Sequence, residues 1–345
     1  MPSKVVLLAD DLTGACDAAV HFAMRGLPAA AAVSMDCVHG DVPVWAVNTE
    51  SRDMGREAIE RLMVQAGARL PIGPETVIFK KIDSTLRGNA GIETAAAMKA
   101  FACERAVFTP ALPALGRTVE SGVLRVASSP DFQPVEVAGW LRSQGVDCGA
   151  NVMAMDAACD ADLDRIVAHS LASGKRILWV GSSGLAAALA RSMGGSFRPP
   201  LAHGRGSDCE GAGSVLFAIG SNHPATLAQL ELLRLARAGP VLLRIPRGEV
   251  SEGEIREWMS RVQPAALVLS GGDTASLVCR SLGAQRIELE NEIIPGVPWG
   301  ILDGGLADGI PVATKSGGFG APEALVRVAD FFVLDKKTSI LLNRA

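Results

Sequence analysis

The chain has 345 residues, 48% apolar and 20% charged, with a net charge of -4 and five histidines counted neutral. That length exceeds what one compact core usually organises, so two domains are expected. The near-balanced charge offers no electrostatic case for a nucleic-acid partner or an acidic membrane surface, while leaving room for a local basic pocket that binds a small anion.

The cysteines at 16, 37, 103, 148, 159, 209 and 279 are odd in number and show no C-x-x-C spacing. They read as free thiols of a reducing compartment. The apolar run after Lys4 is too short for a signal segment and ends at Asp10 and Asp11. No uncharged apolar run approaches the ~20 residues of a membrane helix. A soluble, cytoplasmic protein is expected. The histidines at 21, 39, 169, 203 and 223 have no metal-ligand spacing, and the absence of a G-x-S-x-G elbow argues against a hydrolase triad.

In chain order, one unit recurs: an apolar run, a small polar or glycine loop, then a helical pattern. Residues 4–9 lead to Asp10-Asp11-Leu12-Thr13-Gly14 and a helix over 15–25. The run 42–47 ends in Asn48-Thr49-Glu50-Ser51-Arg52. Residues 76–82 lead to Asp83-Ser84-Thr85-Leu86-Arg87-Gly88 and a helix over 90–101. The run 105–108 ends in a proline-rich loop carrying Arg117. Residues 120–150 are irregular and receive no assignment. Residues 176–180 lead to Gly181-Ser182-Ser183-Gly184 and a helix over 185–193. After them, 194–213 is rich in glycine and proline and reads as a linker. Beyond it, 214–219 lead to Gly220-Ser221-Asn222-His223 and a helix over 224–238. The run 265–269 leads to Ser270-Gly271-Gly272-Asp273-Thr274 and a helix over 275–282. Finally, 310–314 lead to Lys315-Ser316-Gly317-Gly318-Phe319-Gly320 and a helix over 322–333, with Pro322 suited to its first turn.

Nearly continuous apolar strands alternating with helices predict an α/β protein of two domains, each a mostly parallel sheet flanked by helices, with an interdomain cleft. The expected division is 1–195, a linker at 196–213, a second domain at 214–335 and a tail at 336–345. In such sheets ligands bind at the carboxyl ends of the strands, where the polar loops fall.

The glycine loops of the second half suit phosphate: glycine lets the backbone approach a ligand, and the following helix start favours an anion. Lys315 adds an ammonium. Neither a P-loop nor a G-x-G-x-x-G fingerprint is present. Each loop could also be an ordinary capped turn, but three in one domain favour phosphate binding. The first half is richer in charge. If the first strand stays regular, alternation sends Asp10 and Asp11 to opposite faces, so that one faces the site as base or magnesium ligand while the other caps the helix; both could equally be caps and turn formers. The junction Lys80-Lys81-Ile82-Asp83-Ser84-Thr85-Leu86-Arg87 combines cations, a carboxylate and hydroxyls, which suits a polyhydroxylated anionic substrate. Arg52 could fork onto a carboxylate, and Arg117 is a second anion contact.

Taken together and in order, these segments resemble the four-carbon acid sugar kinases, which phosphorylate threonate, erythronate and 3-oxo-tetronate. The resembling segments run from Ala9-Asp10-Asp11-Leu12-Thr13-Gly14-Ala15 through Thr49–Arg52, Lys80–Gly88, Thr109–Thr118, Gly181–Leu185, Gly220–Asn222, Ser270–Ala275 and Pro295–Gly300 to Lys315–Gly320. The resemblance implies a sugar-acid domain followed by an ATP domain, with ATP and Mg²⁺ required. By resemblance, Asp11, Arg52 and Lys81-Ile82-Asp83-Ser84 contact substrate, while Ser221, Gly271-Gly272-Asp273-Thr274 and Gly318 contact nucleotide. Lys81 and Arg87 would neutralise charge near the transferred group, Asp83 or Asp11 would orient or deprotonate the attacking hydroxyl, and Asp273 would help hold Mg²⁺. Family members are usually longer, with the shortening here expected between about 120 and 215. An isomerase or aldolase acting on a phosphorylated sugar acid, or a non-catalytic sensor, would use the same loops differently. The expected partners are the sugar acid and ATP, with a homo-oligomer left open.

Overall fold

The computed structural model describes residues 4–127, 129, 131–199, 214–236 and 241–332. The chain divides into two compact units, Met1–Phe197 and Arg198–Ala345. Residues 200–213 of the expected linker and the expected tail 336–345 lie outside the described residues.

The first unit contains β1 (Val5–Ala9), α1 (Leu12–Ala23), β2 (Ala29–Ala32), β3 (Val44–Asn48), α2 (Arg56–Arg69), β4 (Val77–Lys81), α3 (Ala90–Ala100) and β5 (Arg105–Thr109). It continues through β6 (Arg117–Glu120), β7 (Val123–Val126), β8 (Val135–Glu136), α4 (Val137–Ser143), β9 (Val152–Ala154), α5 (Asp160–Leu171), β10 (Ile177–Gly181) and α6 (Ser183–Ser192). Seven strands form a sheet in the order β2-β3-β1-β4-β10-β5-β9, with every pairing parallel. Helices on both faces of a parallel sheet bury its strands completely, which explains runs such as Val5-Val6-Leu7-Leu8-Ala9, buried at every residue. The region without a sequence assignment folds as a separate antiparallel sheet, β6-β7-β8, followed by α4. Its short strands, two to four residues long, carry too little alternation to be recognised from sequence.

β1 lies between β3 and β4. The chain therefore builds outward on one side of β1 and then resumes on the other. The carboxyl end of β1 is such a switch point, where diverging connections leave a crevice.

The second unit contains β11 (Val215–Ile219), α7 (Pro224–Ala236), β12 (Val241–Arg244), α8 (Glu252–Val262), β13 (Ala266–Ser270), α9 (Gly272–Leu282), β14 (Arg286–Ile294), β15 (Val297–Asp303) and β16 (Pro311–Lys315). A last helix, α10, covers 324–332, two residues later than Pro322 suggested. Within this unit the strands run β12-β11-β13-β16-β15-β14. The first four are parallel, whereas β15 pairs antiparallel with both β14 and β16. Phe217, Leu230, Leu233, Val268, Trp299, Leu325 and Val328 share one core between sheet and helices. β11 sits between β12 and β13, so this unit has its own switch point after Ile219. No described helix is long and apolar enough to cross a membrane.

Candidate active site

In the first unit, charged side chains gather at the carboxyl ends of β1, β3 and β4. Asp11 is the extended N-cap of α1 and accepts hydrogen bonds from Gly14 N at 2.6 Å and Thr13 Oγ1 at 2.9 Å. Its other oxygen, Oδ2, lies 2.6 Å from an Nη of Arg52, while Arg52 Nε donates to Asp10 Oδ2 at 2.8 Å. One guanidinium thus spans both carboxylates. The condition for sending the two aspartates to opposite faces, a strand that stays regular, is not met. Strand alternation stops at Ala9, and the chain is already turning into α1 where the aspartates stand.

Gly88 makes this approach tight. It adopts φ +85°, and a Cβ there would sit 3.3 Å from Arg52 Cγ and 3.4 Å from its carbonyl oxygen. Beside it, Asp83 accepts Arg87 Nε at 3.0 Å and Thr85 N at 2.8 Å. Lys81 Nζ lies 3.7 Å from Asp17 and donates to Ile82 O at 3.1 Å. Ser84 is buried in the same junction, and Arg117, buried at the start of β6, feels the charges of Asp83 and Asp17. The cluster therefore unites Asp10, Asp11, Arg52, Lys81, Ile82, Asp83, Ser84, Arg87 and Arg117.

Beneath it lies an ion pair that sequence reasoning missed. Lys80 Nζ is 3.0 Å from Glu93, with the two side chains 0% and 2% exposed. Glu93 also accepts the Ser51 hydroxyl, which meets Thr49 Oγ1 at 2.7 Å. Glu93 sits in the first turn of α3, where an acid usually needs no more explanation than the helix dipole. Only the fold brings it under Lys80.

The environments push the two N-terminal aspartates apart. Burial, reinforced by the charge of Asp11, raises the Asp10 carboxyl above its ordinary range. Burial works the same way on Asp11, but Arg52 and the Gly14 N–H prevail and lower it. Asp83 is likewise lowered, Arg87 outweighing burial. Arg52 is raised because Asp11 and Asp10 overcome its own desolvation. Neighbouring carboxyls with opposed shifts are suited to different proton-handling roles.

In the second unit, three loops meet at the carboxyl ends of β11, β13 and β16. A Cβ on Gly220 would overlap Thr274 Oγ1 and lie 2.7 Å from Ile245 O; one on Gly317 would overlap the Ser221 hydroxyl. Gly271 has φ +108° and leads directly into α9, which begins Gly272-Asp273-Thr274. Asp273 is mostly exposed and lies 3.1 Å from Arg247 Nε, and Arg244 donates to Asn222 Oδ1 at 2.7 Å. The two arginines, at the end of β12 and just beyond it, were not anticipated.

Lys315 departs from expectation. Its side chain is fully buried, and Nζ donates to the carbonyls of Ser316, Gly317 and Phe319 at 3.0, 3.1 and 3.0 Å. The ammonium holds its own loop instead of offering a charge to solvent. Burial pushes it down to about 8.

Comparison with known proteins places both units. The family model described as a sugar-binding N-terminal domain matches residues 5–139 and 136–189, and one described as a nucleotide-binding C-terminal domain matches 248–325. A D-threonate kinase of Bordetella bronchiseptica is 30% identical over 94% of this chain and 96% of its own. The chain belongs to the four-carbon acid sugar kinase family. A D-threonate kinase of Salmonella typhimurium is 26% identical over 93% of this chain and 96% of its own, and a D-erythronate kinase of Heliobacterium modesticaldum 26% over 96% and 97%. The Bordetella alignment runs over 406 positions against 345 residues here, so that relative carries additional segments. The two stretches matched to the sugar-binding model meet at 136–139, inside the range expected to be shortened. Solved structures from Salmonella typhimurium and Haemophilus influenzae share the fold. Their TM-scores are 0.70 and 0.67, at 21% and 22% identity, over 94% and 95% of this chain and 98% and 100% of theirs.

Proposed function

We propose that this protein transfers the γ-phosphoryl group of ATP to a hydroxyl of a four-carbon sugar acid: threonate, erythronate or a 3-oxo-tetronate. The observation that carries this reading is that one chain holds both matched domains and aligns nearly end to end with kinases of that substrate class. Residues 1–195 would bind the sugar acid and 214–335 the nucleotide.

Phosphoryl transfer asks the protein chiefly for positioning and charge neutralisation. Arg52 spends Nε and one Nη on Asp10 and Asp11, leaving further N–H donors for the substrate carboxylate. Arg117 supplies a second cation for that group. Lys81 and Arg87 neutralise charge near the acceptor hydroxyl, while Ile82 and Ser84 shape the pocket around the sugar carbons. Asp11 is committed to Gly14, Thr13 and Arg52, and Asp83 to Arg87 and Thr85. Asp10 is held by Arg52 through Oδ2 alone, and with its carboxyl raised by burial it is the acceptor of the hydroxyl proton in this reading. Asp11 and Asp83 orient that hydroxyl.

Ser221, Gly271, Gly272, Thr274, Ser316, Gly317 and Gly318 would surround the phosphates, with Lys315 supporting from below. The donor set also suits Mg²⁺, which is usually held by one or two carboxylates together with substrate phosphates. Asp273 presents an exposed carboxylate of this kind beside the loop. Mg²⁺ bound there would neutralise phosphate charge.

The test is ADP release with Mg–ATP over D- and L-threonate, D- and L-erythronate and 3-oxo-tetronates. ADP should appear in step with consumption of one of these acids. ADP no faster than the acid-free background with every acid would rule the proposal out.

A further inference from the structure

The second unit carries buried polar groups that the proposed chemistry does not use. Gln229 of α7 is fully buried. Its Nε2 lies 3.1, 3.0 and 3.0 Å from the carbonyl oxygens of Phe319, Gly320 and Ala321. Thr226, one helical turn earlier, donates to Gly317 O at 2.6 Å. Lys315 takes the carbonyls of Ser316, Gly317 and Phe319. Between them these three side chains collect the carbonyls of Ser316, Gly317, Phe319, Gly320 and Ala321.

The consequence follows from peptide geometry. A planar trans peptide sets its C=O and the next N–H on opposite sides, and the described chain contains no cis peptide. Drawing the Ser316 and Gly317 carbonyls inward turns the Gly317 and Gly318 N–H groups outward. Drawing in the Phe319 carbonyl does the same for Gly320. Successive N–H groups turned outward form a concavity that binds anions. Side chains at 317 and 318 would crowd it, since a Cβ on Gly317 would overlap Ser221 and one on Gly318 would sit 3.2 Å from His223 Nε2.

We infer that Gln229, Thr226 and Lys315 are positioning residues: a carbonyl clamp in which Thr226 and Lys315 preset the Gly317–Gly318 amides, and Gln229 the Gly320–Ala321 amides that follow, to receive nucleotide phosphate. The clamp rests on the nucleotide reading proposed above, and it adds Gln229 and Thr226, which touch no phosphate themselves. Preset donors need no reordering when the anion arrives, so the clamp acts on affinity for phosphate and not on the rest of the nucleotide.

The test compares Gln229→Met, Thr226→Val and Thr226→Ser in the full chain. Dissociation constants for ATP would come from calorimetry and those for adenosine from ligand-observed NMR, beside the sugar-acid KM and Tm. Gln229→Met should weaken ATP binding about tenfold, as expected when a buried carbonyl loses its donor. Adenosine affinity and sugar-acid KM should stay within about twofold, a difference too small to count as a lost contact. Thr226→Val should weaken ATP severalfold and Thr226→Ser should restore it, and this milder pair decides the matter if Gln229→Met does not fold. Unchanged ATP affinity in folded variants, or equal weakening of ATP and adenosine, overturns the clamp while leaving the nucleotide reading intact. Failure of the unaltered chain to bind any nucleotide overturns both.

Discussion

Under the function proposed above, the two switch points would receive anions by different means. At β1 the groups on offer are side-chain charges: Arg52 spans Asp10 and Asp11, Arg87 holds Asp83, and Lys80 is buried against Glu93. At β11 the proposed phosphate contacts are backbone N–H groups, with Arg244 and Arg247 beside them and Lys315 turned inward onto the loop carbonyls. Side-chain forks discriminate among small hydroxy acids because each donor has a fixed direction. Amides at the second site would serve the polyphosphate that every nucleoside triphosphate shares.

The comparison can be broken most forcefully at Lys80. Lys80→Met leaves Glu93 buried without its cation and should cost about 3–5 kcal/mol of stability in chemical denaturation. Adding Glu93→Gln should recover part of it. A loss under about 1 kcal/mol would show that this pair behaves like a solvated surface one. Next in size, Arg52→Lys cannot span two carboxylates. It should lower kcat/KM for the sugar acid about a hundredfold with the ATP KM unmoved. Equal losses for both substrates would erase the division of labour.

Gly220→Ala tests the other side. Its new methyl meets Thr274 and the Ile245 carbonyl, so about 1–3 kcal/mol of stability and much ATP affinity should be lost, with the sugar-acid KM preserved. Lys315 gives the pH signature. Its folded value is about 8 against an ordinary 10.5. Between these the unfolded chain retains a proton that the folded chain has released, so stability from this group rises with pH across that window. Lys315→Met should abolish that rise in a denaturation series. The same deprotonation removes one donor from the loop, so ATP affinity of the unaltered protein should fall as pH passes about 8. The smallest effect belongs to Asp273→Asn. Its exposed pairing with Arg247 should be worth less than about 1 kcal/mol to the fold, while the Mg²⁺ concentration needed for half-maximal turnover rises.

Much of this was legible in the sequence because it is local. Strand, loop and helix succession follows from apolar runs and glycine, and the polar loops fall at carboxyl strand ends as parallel topology requires. What escaped depended on tertiary neighbours. Nothing about Glu93, in an ordinary first helical turn, announces that it lies under Lys80. Whether Asp10 and Asp11 could share a site depended on where β1 stops being regular, which the sequence does not mark and the fold places at Ala9. Lys315 looked like a phosphate ligand because sequence gives a side chain's charge and not its direction. Gln229 stands in a helix over eighty residues before the loop it holds, and only packing relates them.

The three-stranded sheet β6-β7-β8 shares no strand with the seven-stranded sheet beside it. The two stretches matching the sugar-binding model meet at 136–139, where β8 passes into α4. A segment added at this junction would interrupt no strand of the seven-stranded sheet. For an engineer the same junction is a natural insertion point, through which a segment from a longer relative could be grafted to alter substrate choice while the catalytic frame stays as it is.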